Sequence, residues 1–107
     1  MVKINIANDF SDTPGGRYKS EGKYSGEEFR ENILKVKYFE AKDKGEILEI
    51  NLDGCFGFPS SFIDESFGGL ARELKDTSIF DDVIFISNDQ PSLIDFIFKC
   101  AKGEKNE

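Results

Sequence analysis

The chain has 107 residues, a length suited to one domain over 1–107; 38% are hydrophobic, with 11 phenylalanines and no tryptophan to build the core. Its formal net charge of -7, from 21 acidic and 14 basic side chains, argues against nucleic acid, whose backbone needs clustered lysine and arginine. There is no histidine, which excludes Ser/His/Asp and Cys/His catalysis and any histidine-bearing zinc site, and Cys55 and Cys100 are too far apart for a CxxC pair.

VKINIA alternates Val2, Ile4 and Ile6 with Lys3 and Asn5, the pattern of a strand with one buried face. NDFSDTPGG is turn chemistry, and RYKSEGKY is expected to fold as a short hairpin turning at Ser20, Glu21 and Gly22. SGEEF opens a helix with a capping box of Ser25 and Glu28. Phe29, Ile33, Val36 and Phe39 give that helix one stripe and Leu34, Tyr38 and Ala41 a second, so wide burial is expected. Lys42, Lys44 and Gly45 end it, cations at the negative end of the dipole and a glycine to leave by. EILEINLD is the next strand, with Leu48, Ile50 and Leu52 on one side. A loop, GCFGFPS, leads into a second helix over about 61–75. VIFIS, residues 83–87, is apolar on both faces and reads as a central strand covered on both sides. The last helix follows Pro91 with a stripe of Leu93, Phe96, Ile97 and Cys100, and residues 102–107 form a frayed tail.

This order predicts an α/β domain with a mixed, mainly parallel sheet and at least three helices. No segment approaches the roughly 20 apolar residues of a membrane span. The start, MVKINIANDF, is too polar for a signal peptide, so the expected location is cytoplasmic. No cofactor is expected, and no metal outside the acidic alternative given below.

The stretch GFPSSFIDESFGGL, residues 57–70, carries the most information. On a regular helical wheel Ile63, Phe67, Leu70 and Leu74 form the core stripe, and Asp64, Glu65, Arg72 and Lys75 lie opposite. Gly69 falls at the border and Gly68 faces outward. Glycine inside a helix costs about 1 kcal/mol relative to alanine, so the pair marks either close packing or a smooth patch for a partner. Ser61 is expected as N-cap with Asp64 completing the box, or as a phosphorylation site beside the helix's free N–H groups; Ser60 shares that position.

GFPSSFIDESFGGLARE resembles the signature of the STAS-like domain family of unassigned function. FSDTPGGRYKSEGKYSGEEFRENIL and INLDG resemble its N-terminal half and the strand before its serine loop. The likeness runs from about Ile6 to Leu74. It implies a small α/β STAS-like domain related to anti-sigma factor antagonists. These are non-enzymatic regulators switched by a serine that a histidine-kinase-like ATPase phosphorylates. Ser61 and Ser60 would be the switch, and Phe62, Asp64, Glu65, Gly68 and Gly69 the partner-binding surface.

A second class is open. Asp9 and Asp53 follow strands, and acidic residues at such ends serve receiver-like phosphoacceptors and small metal-dependent enzymes. Asp53 also suits a turn with Gly54. Cys55 has no base to activate it. Arg17, in PGGR, suits either a phosphate or a carboxylate.

Overall fold

The structure, a computed structural model, describes residues 1–104. Three strands, β1 (Val2–Asn5), β2 (Leu48–Asn51) and β3 (Ile84–Ile86), form one parallel sheet in the order β1-β2-β3. Val2 stands opposite Leu48 and Ile4 opposite Ile50, while Ile50 also faces Phe85. A short turn of helix, α1 (Ile6–Asp9), follows β1. Helix α2 spans residues 26–44 and α3 residues 60–74; α4 is Ser92–Lys102.

Both crossovers advance in the same direction across the sheet. Right-handed connections then place α2 and α3 on the same face. That face holds Val2, Ile4, Leu48, Ile50 and Leu52, all buried. Phe85 extends it, its ring 5.9 Å from Phe67 of α3 and 5.8 Å from Phe98 of α4. Among the described residues the opposite face carries no buried one: Lys3 is exposed, Ile47 is 49% exposed and Ile84 41%. The expectation of a central, doubly covered strand at 83–87 is therefore corrected. β2 is central, β3 is an edge, and its Ile84 points to the bare side.

The expected hairpin over 17–24 does not form. Lys19–Glu21 make a 3-10 turn instead. Gly15 N–H donates to Tyr24 O (2.8 Å) and Gly26 N–H to Gly16 O (2.8 Å), which closes a loop over the start of α2 rather than a strand ladder. The sheet is thereby left wholly parallel among the described residues.

Each long helix contains one widened, π-type turn. In α2, Gly26–Phe29 and Lys35–Lys44 flank the wide turn Arg30–Leu34. In α3, Ser60–Ile63 and Gly69–Leu74 flank Asp64–Gly68. A π turn bonds i to i+5 and holds one residue more than an α turn, so the buried face shifts by one position. In α2 burial passes from Phe29 to Leu34, Tyr38 and Ala41, while Val36 and Phe39 stay exposed. Of the two stripes, only the second continues inward.

At the far end, Gly103 closes α4 in the left-handed region at φ 72°. Helix thus reaches Lys102, the first residue of the expected tail; positions 105–107 of that tail lie outside the described residues. No helix among the described residues is long and apolar enough to cross a membrane.

Candidate functional site

The three loops that leave the carboxyl ends of the strands are bonded to one another. Asp53 accepts from Asp89 N–H (2.9 Å) and from Asn88 Nδ2 (3.0 Å). Asp89 in return accepts from Gly54 N–H at 3.0 Å. Phe56 N–H donates to Asp12 O (2.8 Å), and the Cys55 thiol to Ser11 O (3.5 Å). Asp9 accepts from Asn5 N–H at 2.8 Å and closes α1. Both carboxylates of the acidic alternative, Asp9 and Asp53, thus hold turns. No three His, Cys, Asp or Glu side chains among the described residues are grouped to hold a metal ion. Cys55 is a free, half-buried thiol whose pKa rises to about 11, first because burial disfavours the thiolate and then because Asp12 and Asp89 repel it.

The β2 loop delivers the chain to α3. Pro59 is the N-cap, its carbonyl accepting from Phe62 N–H (3.0 Å) and Ile63 N–H (3.3 Å), with no side-chain cap bond. The expectation of Ser61 as N-cap is corrected: Ser60 and Ser61 are the first two residues of the helix itself. Among the described residues neither hydroxyl has a hydrogen-bond partner, and neither of their amides finds a backbone carbonyl. Ser60 is exposed and Ser61 half-buried.

Asp64 completes no box. It is buried, accepting from Arg17 Nη1 at 2.6 Å and from Arg72 Nη1 at 3.2 Å. Hydrogen bonding to Asp64 is the largest influence on Arg17 and raises its pKa. Glu65 lies beside it, 3.4 Å from Arg17 Nη1 and paired with Arg30. Arg30 Nη1 also donates to Glu65 O at 2.9 Å, while its Nε has no hydrogen-bond partner among the described residues and lies 3.7 Å from Glu73. Of the two openings for Arg17, the carboxylate is the one it meets.

The glycines answer to packing. A Cβ on Gly69 would stand 2.5 Å from Arg30 Nη1. One on Gly68 would stand 3.2 Å from Cys100 Cβ, on α4. Both glycines are buried, as are Phe62 and Asp64. As exposed lining of a partner surface these four positions are corrected: Phe62 lies in the core, Arg17 and Arg72 cover Asp64, α4 stands against Gly68, and Arg30 of α2 stands against Gly69. Glu65 keeps only 13% of its side chain exposed.

Strand, serine loop, helix and the arginine-covered FGGL turn now lie in one structural frame. The family profile described as a STAS-like domain of unknown function (DUF4325) matches residues 25–93. The chain belongs to that family. The matched span of the STAS-like domain begins at the Ser25 cap of α2, takes in β2, the serine loop, α3 and β3, and ends at Leu93 in the first turn of α4. No curated protein and no solved structure matches it.

Two side chains of this site are not apparent from the spacing of residues. Arg30 lies on α2, far in sequence from the carboxylate it meets. Phe56, 86% exposed in the β2 loop, stands in GCFGF outside any helical or alternating apolar stripe, and that placement is the one signal that marks it.

Proposed function

We propose that this STAS-like domain is a non-enzymatic regulatory module that binds a protein partner through the β2 loop and the first turn of α3, with Ser61 and Ser60 as its switch. One observation carries the reading: the two serines occupy the start of a helix without capping it. Their hydroxyls are left for another chemistry, and the adjacent N–H groups and dipole favour a phosphate there. A phosphate brings about two negative charges at neutral pH. Asp64 and Glu65, the nearest carboxylates along the helix, are already paired with Arg17, Arg30 and Arg72. Their charges therefore oppose the modification less than the sequence implies. The partner class that the family likeness suggests is a histidine-kinase-like ATPase of the anti-sigma type. The contact surface is Pro59, Ser60, Ser61 and the loop before them, rather than the buried positions of α3.

The test is intact-mass and peptide mapping of the chain purified from its native host, followed by binding of the recovered partner to wild type, Ser61→Ala and Ser61→Asp. Phosphate on Ser60 or Ser61, together with a partner lost on Ser61→Asp, is the expected result. Equal binding by all three proteins would sink the switch. A base-labile acyl phosphate on Asp53 after exposure to Mg²⁺ and a small phosphodonor would instead favour the receiver-like alternative.

A further inference from the structure

We propose that Phe56 is a preorganised anchor that inserts into an apolar pocket on a protein partner, and that lysine and arginine rim this pocket. The inference rests on the reading of the β2 loop as the docking element and names its central contact and the chemistry of what it meets.

Phe56 differs in kind from the protein's other aromatic residues. Of the 11 phenylalanines it is 86% exposed, and the next most exposed, Phe39, is at 39%. Its exposure is not that of a loose loop. Phe56 N–H is bonded to Asp12 O (2.8 Å), and the preceding Cys55 to Ser11 O (3.5 Å). Gly54 N–H is bonded to Asp89 (3.0 Å), and Asp53 to Asn88 and Asp89. The loops from all three strands therefore hold one backbone segment, and that segment presents a bare aromatic ring to solvent. A backbone fixed before binding leaves only the two side-chain torsions of Phe56 to be ordered on docking, a small entropy loss that favours aromatic residues as hot spots.

The charge around the ring selects the occupant. The three loop segments 8–16, 52–61 and 87–92 contain Asp9, Asp12, Asp53 and Asp89 and no lysine or arginine. The charges of Asp12 and Asp89 both reach Cys55, next to the ring. An anionic lipid surface is repelled by this collar. So is a second copy of the chain meeting it loop to loop. A pocket with an apolar floor and a basic rim matches both the ring and the collar, and opposite potentials also speed encounter. The same basic rim suits a partner that handles phosphate at Ser60 or Ser61.

The experiment places a photo-crosslinking phenylalanine analogue at position 56, and in a separate protein at position 60, in the native host. Adducts are mapped by mass spectrometry. The partner so identified is then titrated with wild type, Phe56→Ala and Asp12→Lys at low and high salt. Asp12 serves because its backbone carbonyl, not its carboxylate, holds the loop. The expected adduct from position 56 lies on an apolar residue flanked by lysine or arginine. Phe56→Ala weakens binding about 10–100-fold, in the range of hot-spot truncations, with circular dichroism and melting unchanged. Asp12→Lys weakens it several-fold and flattens the salt dependence. A partner that crosslinks at position 60 but binds Phe56→Ala as well as wild type overturns the anchor and leaves the serine-loop reading standing. Adducts at neither position overturn both. An adduct on lipid, on a second copy or on an acidic surface overturns the anchor.

Discussion

The glycines of FGGL show how a residue's neighbours reverse its usual effect. In an exposed helix, replacing glycine with alanine stabilises by about 1 kcal/mol. At Gly69 the new methyl would meet the Arg30 guanidinium at 2.5 Å and push it from Glu65, a largely buried carboxylate. At Gly26 it would meet Phe62 O at 2.6 Å, and a backbone carbonyl cannot swing away as a side chain can. Both substitutions are therefore expected to destabilise, Gly69→Ala by about 1 kcal/mol and Gly26→Ala by about 2–3 kcal/mol, as overpacked sites do. Urea unfolding of the two variants against wild type checks the sign and the order. Asp64 belongs to the same scale. Sequence alone puts it on a polar face. Arg17, which covers it, lies 47 positions earlier in the chain, beyond any local pattern.

At the scale of elements, helix starts divide by who supplies the cap. Ser25 is buried and its Oγ accepts from Glu28 N–H at 3.1 Å, as the SGEE pattern predicts. Glu28 reaches back one residue further than a standard box, to Tyr24 N–H at 3.1 Å. At α3 the Pro59 carbonyl does the work and the serines do none. Ser25→Ala is accordingly expected to cost about 1 kcal/mol, while Ser60→Ala and Ser61→Ala stay within about 0.5 kcal/mol of wild type. Thermal melts of the three variants separate these outcomes, and a large loss at Ser61 would restore its capping role. The three strands and the three longer helices, in their order, were legible because caps, glycine exits and periodic apolar residues are local signals; α1, which takes over from the strand at Ile6, was not. The core stripe of α3 was legible too, since Ile63, Phe67 and Leu70 are buried and Leu74 packs against them; which of the two α2 stripes stays inward was not, because a regular wheel advances evenly and this helix widens once. Leu34 buried five positions after Phe29, rather than Ile33 four after it, is the trace of that turn.

Two consequences belong to the whole molecule, one from its charge and one from its layering. Glu21, Glu31, Glu40 and Asp76 all have lowered pKa values. Backbone N–H bonds from the Tyr18 loop cause it at Glu21, lysine partners at Glu31 and Glu40, and the Ser78 hydroxyl at Asp76. A carboxyl held below its unfolded value stabilises the fold above that value, about pH 4, and the contribution is lost as pH falls through the folded one. Arg17 shifts the other way, upward, so its share persists through the neutral range and is lost only at strongly alkaline pH. Melting temperature is therefore expected to hold from about pH 7 to 5 and to drop below about pH 4; a flat profile to pH 3 would contradict this. The layering is harder to read from sequence, because apolar residues on both faces of VIFIS suggest burial on both sides. The strand order β1-β2-β3 puts every crossover helix on one face, and a parallel sheet with one bare face is unusual. It follows that Ile84, on the bare side, contributes little, whereas Ile50, buried at the centre of the sheet, contributes much. Ile84→Thr should change stability by less than about 0.5 kcal/mol and Ile50→Ala should lower it by about 2–5 kcal/mol. Amide exchange supplies an independent measure. The amides of β2, flanked by a strand on each side, should exchange most slowly, and those of β3, a three-residue edge, faster. Slower exchange in β3 than in β2, or a costly Ile84→Thr, would mean that the bare face is covered in solution and that β3 holds the central place its sequence suggests.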